Sequence, residues 1–269
     1  MSANPDELIS LSDPGEVDRA THNWGDRAVV GLGNIIAYLF PILMLIIVLQ
    51  VFFRNFGRLS IGPGNQAWLD DMQWWLYGIA CLVGVAYAVT TNSHVRVDIF
   101  FDNFEPEKKR RTDLFAMGWL FMPFALISWD VTFHYAVSSV QAWEGSSSPN
   151  GLHNLWILKI LMNICFLVIA WACVSRIIRL LGQGSGDDGW SRFVWMLPSI
   201  ALVVNFTLFY ALWWISRLTM PDLAPRAVSR DGILMGEVEF GPYETQITVL
   251  VSLAITAAMG AFLYTRRAR

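Results

Sequence analysis

Six long apolar runs, separated by polar segments, dominate this sequence of 269 residues. A helix that crosses a membrane needs about 20 consecutive, mostly apolar residues, and the runs are near that length or longer. Hydrophobic residues make up 55% of the chain, which is more than a water-soluble domain of this size needs. The sequence therefore predicts an all-α, polytopic integral membrane protein. The predicted spans cover residues 35–53, 72–89, 106–143, 155–175, 193–215 and 245–264.

The distribution of basic residues predicts how the helices cross the membrane. A turn with four consecutive basic residues, 108–111, opens the third span, and most of the 19 basic residues lie in segments that we place in the cytoplasm. Short loops rich in Lys and Arg stay on the cytoplasmic side. We therefore expect a multi-pass membrane protein with both termini cytoplasmic. Residues 94–101 alternate charged and large apolar side chains, which predicts a segment along the bilayer surface.

The composition along the chain predicts four regions. The amino-terminal region is polar and includes a possible surface helix through Trp24, and it lacks the pattern of a signal peptide. The stretch GQGSGDDG has the composition of a flexible linker between two groups of helices. The regions are residues 1–34 (tail and surface helix), 35–181 (a four-helix membrane unit), 182–192 (linker) and 193–269 (two additional helices).

No catalytic, cofactor-binding or metal-binding motif emerges from the sequence. The four histidines are scattered, and only His134 lies well inside a span, whereas a buried haem needs two facing ligands. A phosphate-binding GxxxxGK[ST] motif is absent. The basic residues are spread between apolar runs and form no face for nucleic acid. We expect a protein that is not an enzyme, carries no cofactor and binds no nucleic acid.

Two charged residues lie within predicted spans, Asp130 on the third and Lys159 on the fourth. A charge inside a membrane is costly unless it is paired or near an interface. Each lies 17 residues from a charged residue at the cytoplasmic end of its span, so we expect the two at similar depth. The interpretation is open between an ion or proton site and a structural ion pair. We favour the pair, because the two charges neutralise each other.

A series of short elements lies in order along about residues 30–182. The elements are Arg54, Trp68-Leu69-Asp70-Asp71, the small-residue stretch 84–88 with Gly84, His94-Val95-Arg96-Val97-Asp98, and the turn 144–151 that leads to Lys159. None of them is decisive alone, but in this order they resemble the small membrane subunit of TRAP transporters, the DctQ-like family. Asp70 and Asp71 stand in place of the two Glu residues of the family's W-x-E-E, which keeps the charge and shortens its reach.

The resemblance implies a scaffold role, in the bacterial cell inner membrane, in a tripartite transporter that imports an organic acid with sodium. The implied partners are a large, DctM-like membrane subunit, a periplasmic substrate-binding protein and membrane lipids. The two helices after residue 182 exceed the usual four of the family. The alternative is a membrane anchor of a redox enzyme that carries haem or quinone. The candidates for a structural or subunit-interface role are Arg54, Trp68, Asp70, Asp71, Gly84, His94, Arg96, Asp98, Asp130 and Lys159.

Overall fold

A computed structural model describes residues 19–94, 101, 103–184, 187–222, 225–240 and 242–267. This part of the chain is helical apart from one short β-hairpin, and six of its helical stretches are long and apolar enough to cross a membrane. The predictions of an all-α polytopic fold and of six spans are confirmed. The spans are Trp24–Arg58, Ala67–Thr91, Pro106–Gln141, Leu155–Gly182, Leu197–Thr219 and Ile247–Arg267.

The chain divides into two compact units. The first unit contains Met1–Glu105 and Phe124–Gly182, and the second contains Pro106–Pro123 and Gln183–Arg269. The boundary after Pro123 falls inside the third span. The first turns of that span therefore belong with the carboxy-terminal helices, although the sequence predicts one unbroken four-helix unit over residues 35–181.

The first span consists of two helices, α1 (Trp24–Ala37) and α2 (Leu39–Arg58), with a break at Tyr38. Pro41 explains the break, because it has no N–H to donate to the Ala37 carbonyl and its ring crowds that carbonyl. Asn23 begins α1 with a capping box, in which Asn23 and Asp26 exchange hydrogen bonds. The helix predicted through Trp24 is a packed element, since α1 contacts three other helices of the unit and buries Asp26.

The second span, α3 (Ala67–Thr91), is the central helix of the first unit. It packs against α1, α2 and the fourth span, α6 (Leu155–Gly182). Four of its five buried apolar residues recur at every third position, which is close to the 3.6-residue period of a helix face. Small residues on this face allow close helix approach. The buried apolar residues of α3 are Leu69, Ala80, Val83, Ala86 and Val89.

The third span joins α4 (Pro106–Phe115) to α5 (Met122–Gln141) through a π-helical segment, Ala116–Phe121. At about 1.5 Å per residue the span is longer than a hydrocarbon core of about 30 Å, as the sequence predicts. The π segment precedes Pro123, which lacks the N–H that would donate to the Gly118 carbonyl five residues earlier. The Ser199 hydroxyl donates to that carbonyl instead, at 2.5 Å.

The second unit continues with α7 (Gly189–Trp195) and α8 (Leu197–Thr219). The predicted span 193–215 is split at Met196, because Pro198 cannot donate to the Val194 carbonyl. The indole N–H of Trp119 donates to the same carbonyl at 3.0 Å. Both prolines thus free a carbonyl for a contact between the third span and the carboxy-terminal helices of the unit.

The loop between the last two spans contains structure that the sequence analysis missed. A short helix, α9 (Pro225–Asp231), is followed by the antiparallel strands β1 (Glu237–Phe240) and β2 (Tyr243–Gln246). The last span, α10 (Ile247–Arg267), begins directly after β2. Strands of four residues carry too little alternation to be recognised from the sequence.

The described residues of the predicted linker are held by ion pairs. Arg110 Nη1 lies 2.6 Å from Asp187 Oδ2, and Arg267 Nε lies 2.8 Å from Asp188 Oδ2. Asp188 also caps α7 by accepting from the Ser191 N–H at 2.9 Å. The two acidic residues of GQGSGDDG therefore attach this segment to the basic turn and to the end of α10.

Candidate functional site

The first of the paired acidic residues, Asp70, connects α3 to α2. Its Oδ1 accepts a hydrogen bond from Gln50 Nε2, and Gln50 Oε1 accepts one from Gln73 Nε2. Gln50 is buried on a helix that is otherwise almost uniformly apolar. The sequence marks Asp70 only as part of the Trp68-Leu69-Asp70-Asp71 motif, whereas the structure places it in a series of side-chain hydrogen bonds between two spans.

The second acidic residue, Asp71, connects α3 to the turn before α6. Its Oδ2 accepts from the Leu152 N–H at 2.8 Å. The backbone of Gly151 passes so close that a Cβ there would lie 2.5 Å from the same oxygen. The shorter Asp side chain therefore reaches a partner because the turn approaches it closely. Trp68, in the same motif, is partly exposed.

Lys159 pairs with Glu144, and the predicted pairing with Asp130 is wrong. Lys159 Nζ contacts Glu144 Oε2 and lies 3.7 Å from the centroid of the Tyr135 ring. Asp130 and Tyr135 are five residues apart on α5, so they are separated by about 140° around the helix axis. Similar depth was predicted from the count of residues, but the face of α5 that meets Lys159 is that of Tyr135.

Glu144 receives two hydrogen bonds at the end of the third span. Lys159 Nζ donates to Glu144 Oε2, and so does the Ser139 hydroxyl at 2.6 Å. The Lys159 ammonium first, and the Ser139 hydroxyl second, lower the pKa of Glu144 below its ordinary value. The carboxylate that neutralises Lys159 thus comes from the turn and not from the opposite helix.

Asn163, one turn after Lys159, joins α6 to α5. Its Nδ2 donates to the Trp129 carbonyl at 2.7 Å and to Thr132 Oγ1 at 2.9 Å. The Asn163 amide therefore connects α5 and α6 one helical turn away from the Lys159–Glu144 pair, which attaches α6 to the turn between them.

A buried ion pair at the other end of the unit was missed by sequence analysis. Arg179 Nη1 donates to Asp26 Oδ2 at 3.0 Å, and Arg179 Nη2 donates to the Thr90 carbonyl at 2.5 Å. Asp26 is fully buried, and the Arg179 side chain is 6% exposed. Asn23 adds a hydrogen bond from Nδ2 to the Ser175 carbonyl at 2.9 Å. These contacts join the start of α1 to the ends of α3 and α6.

The signals for this pair are present in the sequence but weak. Asn23 and Asp26 have the three-residue spacing of a capping box, which predicts the start of a helix. Arg179 counts in the sequence only as one more basic residue at a cytoplasmic end. Nothing in the spacing relates residue 26 to residue 179, because only the packing of α1 against α6 brings them together.

Gly84 lines a groove between α1 and α3 that has a volume of about 310 Å³. Small residues form much of its lining, including Gly33 and Ala80, and a Cβ on Gly84 would meet no atom within 4 Å. Asn34 also lines this groove and is exposed, and its amide has no partner among the residues that the structure describes. Gly84 is therefore free to contact another molecule.

The remaining candidates have fewer contacts. Arg54 Nη2 lies 3.4 Å from Asn65 Oδ1 at the exposed end of α2. His94 follows Asn92, which ends α3 in the left-handed conformation with a φ of 58°. Arg96 and Asp98 lie outside the described residues.

A family model supplies the decisive comparison. The model for the DctQ component of tripartite ATP-independent periplasmic transporters matches residues 43–183, which is more than half of the chain. The chain belongs to the DctQ family. The match begins in α2 and ends just after α6, so the pair of carboxy-terminal spans lies outside the matched region. Neither a curated protein nor a solved structure matches the chain.

Membership of the DctQ family identifies the protein as a component of a transporter and favours this class over the anchor of a redox enzyme. The matched region contains Asp70, Asp71, Gly84 and Lys159. Asp26, at the start of α1, lies outside the match, while its partner Arg179 lies inside it. The buried pair thus attaches a preceding helix to the matched helices.

Proposed function

We propose that this protein is the small membrane subunit of a TRAP transporter that imports an organic acid with sodium. The DctQ-family match carries this proposal. A large membrane subunit and a periplasmic substrate-binding protein are the proposed partners, and the small subunit acts as a scaffold. The basic turn and the other basic ends support an inner-membrane orientation with both termini cytoplasmic.

The contacts of the charged residues support a scaffold in preference to a transport path. Two ionic contacts of the first unit, Asp26–Arg179 and Glu144–Lys159, join helices or a helix and its turn. A buried charge with a close, opposite partner is neutralised and is poorly suited to carry a transported ion. Asp70 and Asp71 likewise accept hydrogen bonds from neighbouring elements.

We propose that the groove beside Gly84 receives a helix of the large subunit. Small residues let membrane helices approach closely, and an amide such as that of Asn34 can bond across the contact. Ala86, by contrast, is fully buried within the chain and is unavailable to a partner. The groove therefore offers both the space and the polar group that a neighbouring membrane helix uses.

Substitution of Gly84 tests this interface. We expect Gly84→Leu to fill the groove and to lower the amount of large subunit that co-purifies with the full chain by about tenfold or more, equivalent to about 1.4 kcal/mol. Gly78→Leu is the matched control, because a Cβ at Gly78 also meets no atom within 4 Å but Gly78 does not line the groove. Equal recovery with both variants would place the interface elsewhere.

A further inference from the structure

One exposed face of the last span, α10, has large apolar side chains and ends in a cation. Ile255, Met259, Phe262 and Arg266 follow one another at spacings of four, three and four residues, which places them on one face of the helix. The exposed fractions of the three apolar side chains are 39%, 42% and 55%, and Arg266 is exposed as well. We call these four residues the Arg266 stripe.

The length of the Arg266 stripe corresponds to one leaflet of a bilayer. Ile255 and Arg266 are 11 positions apart, which is about 16 Å along a helix axis. Half of a hydrocarbon core is about 15 Å. Trp190 packs edge-on against Tyr264 near the same end of α10, with ring centroids 5.3 Å apart, and such residues are enriched where a membrane meets water. The Arg266 end of the stripe therefore lies at the membrane interface.

The guanidinium of Arg266 is held against the apolar part of the stripe. Its central carbon lies 4.5 Å from the centroid of the Phe262 ring, one helical turn back along α10. The attraction between a cation and an aromatic face orients the guanidinium, and its N–H groups remain free to donate at the edge of its plane. No carboxylate pairs with Arg266 among the residues that the structure describes, whereas the neighbouring Arg267 pairs with Asp188 at 2.8 Å.

We propose that the Arg266 stripe binds a phospholipid with an anionic headgroup, in the leaflet where α10 ends. One acyl chain lies along Ile255, Met259 and Phe262, and the Arg266 guanidinium donates hydrogen bonds to the headgroup phosphate. A zwitterionic lipid has the same phosphate, but its own ammonium weakens the attraction to the guanidinium, so a headgroup with a net negative charge is preferred. The proposal is independent of the proposed transporter function.

The side chains of the stripe favour an acyl chain over a partner helix. Membrane helices approach each other through small residues. A surface of that kind lies elsewhere on the circumference of α10, where Ala254, Ala258 and Ala261 are exposed. The Arg266 stripe instead has large side chains over the depth of one leaflet and its single charge at the interface. A phospholipid has the same order of an apolar chain and a charged group.

Native mass spectrometry of the purified full chain tests the proposal with phosphatidylglycerol and phosphatidylcholine that have identical acyl chains. We expect the wild-type protein to retain more phosphatidylglycerol, and Arg266→Gln to lower the ratio of the two retained lipids about fivefold. Arg267→Gln is the matched control, because it removes the same charge one position along the helix but Arg267 is already neutralised by Asp188. Its ratio should stay close to that of the wild type.

A second variant tests the orientation of the guanidinium. Phe262→Leu keeps the charge and an apolar side chain but removes the aromatic ring, so we expect it to lower the same ratio about twofold. Phe124→Leu, at an exposed position on α5 outside the stripe, should leave the ratio unchanged.

Three results would overturn the proposal at the level of the lipid. They are equal retention of both lipids by the wild-type protein, equal effects of Arg266→Gln and Arg267→Gln, since selectivity would then follow net charge alone, and a wild-type ratio in Phe262→Leu. The proposal would also be wrong if Arg266→Gln kept the wild-type lipid ratio but lost the large subunit on co-purification, because the stripe would then be a protein contact.

Discussion

At the scale of single residues, the burial of Asp26 and Arg179 determines what their substitution costs. The carboxylate is fully buried and the guanidinium nearly so, and each is a hydrogen-bond partner of the other. Removal of one member of a buried pair leaves the other charge without compensation, which is worse than removal of both. Single and double substitutions of Asp26 and Arg179 therefore distinguish a structural ion pair from two polar groups that do not interact.

We expect Asp26→Leu to destabilise the protein by about 3 to 5 kcal/mol, because it leaves the Arg179 charge buried without its carboxylate. The double variant Asp26→Leu with Arg179→Leu should be more stable than Asp26→Leu alone. The measurements are thermal stability in detergent and abundance in the membrane. If the double variant loses as much as the two single variants added together, the two side chains do not interact.

The Glu144–Lys159 contact predicts a dependence on pH. The folded protein lowers the pKa of Glu144, so this group adds stability above the ordinary carboxyl pKa of about 4.3, and the contribution is lost as the pH falls through the lower folded value. We expect wild type to melt at a higher temperature than Glu144→Gln at pH 7. The difference should shrink as the pH falls below about 4. A difference that is constant from pH 7 to pH 3 would exclude this origin.

At the scale of elements, prolines explain the departures of the helices from the predicted apolar runs. The apolar runs predict the six spans. They do not predict the breaks at Tyr38 and Met196 or the π segment, because these depend on which backbone carbonyl each proline leaves without a hydrogen-bond donor. Side chains that are far away in the sequence donate hydrogen bonds to two of these carbonyls. The Ser199 hydroxyl donates to the Gly118 carbonyl, and the Trp119 indole N–H donates to the Val194 carbonyl.

Gly118 tests how the second unit is assembled. A Cβ at Gly118 would lie 2.2 Å from the Trp195 carbonyl oxygen, so Gly118→Ala forces the π segment and the end of α7 apart. Ser199→Ala should cost about 1 to 3 kcal/mol through the loss of the buried hydrogen bond, and Gly118→Ala should cost at least as much. Gly78→Ala, which meets open space, is the control in the same thermal denaturation assay. Wild-type stability of Gly118→Ala would show that this contact is not close in solution.

The candidate site was only partly predictable from the sequence at this same scale. Asp70, Asp71 and Lys159 can be recognised in the sequence because they are charged and lie at the end of a span or inside one. Their partners Gln50, Leu152 and Glu144 cannot be recognised, because helix packing and the geometry of a turn bring them into contact. Charge and spacing identify which residues need a partner, and only the fold identifies the partner.

At the scale of the whole molecule, the order of short motifs is more informative than any one of them. Arg54, the Trp68 motif, Gly84 and the turn before Lys159 together indicate the DctQ family, and the family model confirms it over residues 43–183. The division into two units is only partly visible in the sequence, because one boundary falls after Gly182, where the predicted linker begins, and the other falls inside the third span. The carboxy-terminal spans are built onto the beginning of that span, through Gly118 and Arg110, in the second unit.

We propose that this protein is a required scaffold subunit of a sodium-driven transporter. The most direct test is uptake by liposomes that contain the large subunit, with the binding protein and its organic acid outside and an inward sodium gradient. We expect uptake when this chain is present and a loss of at least about tenfold when it is omitted, equivalent to about 1.4 kcal/mol. Full sodium-driven uptake by the large subunit and the binding protein alone would contradict the claim.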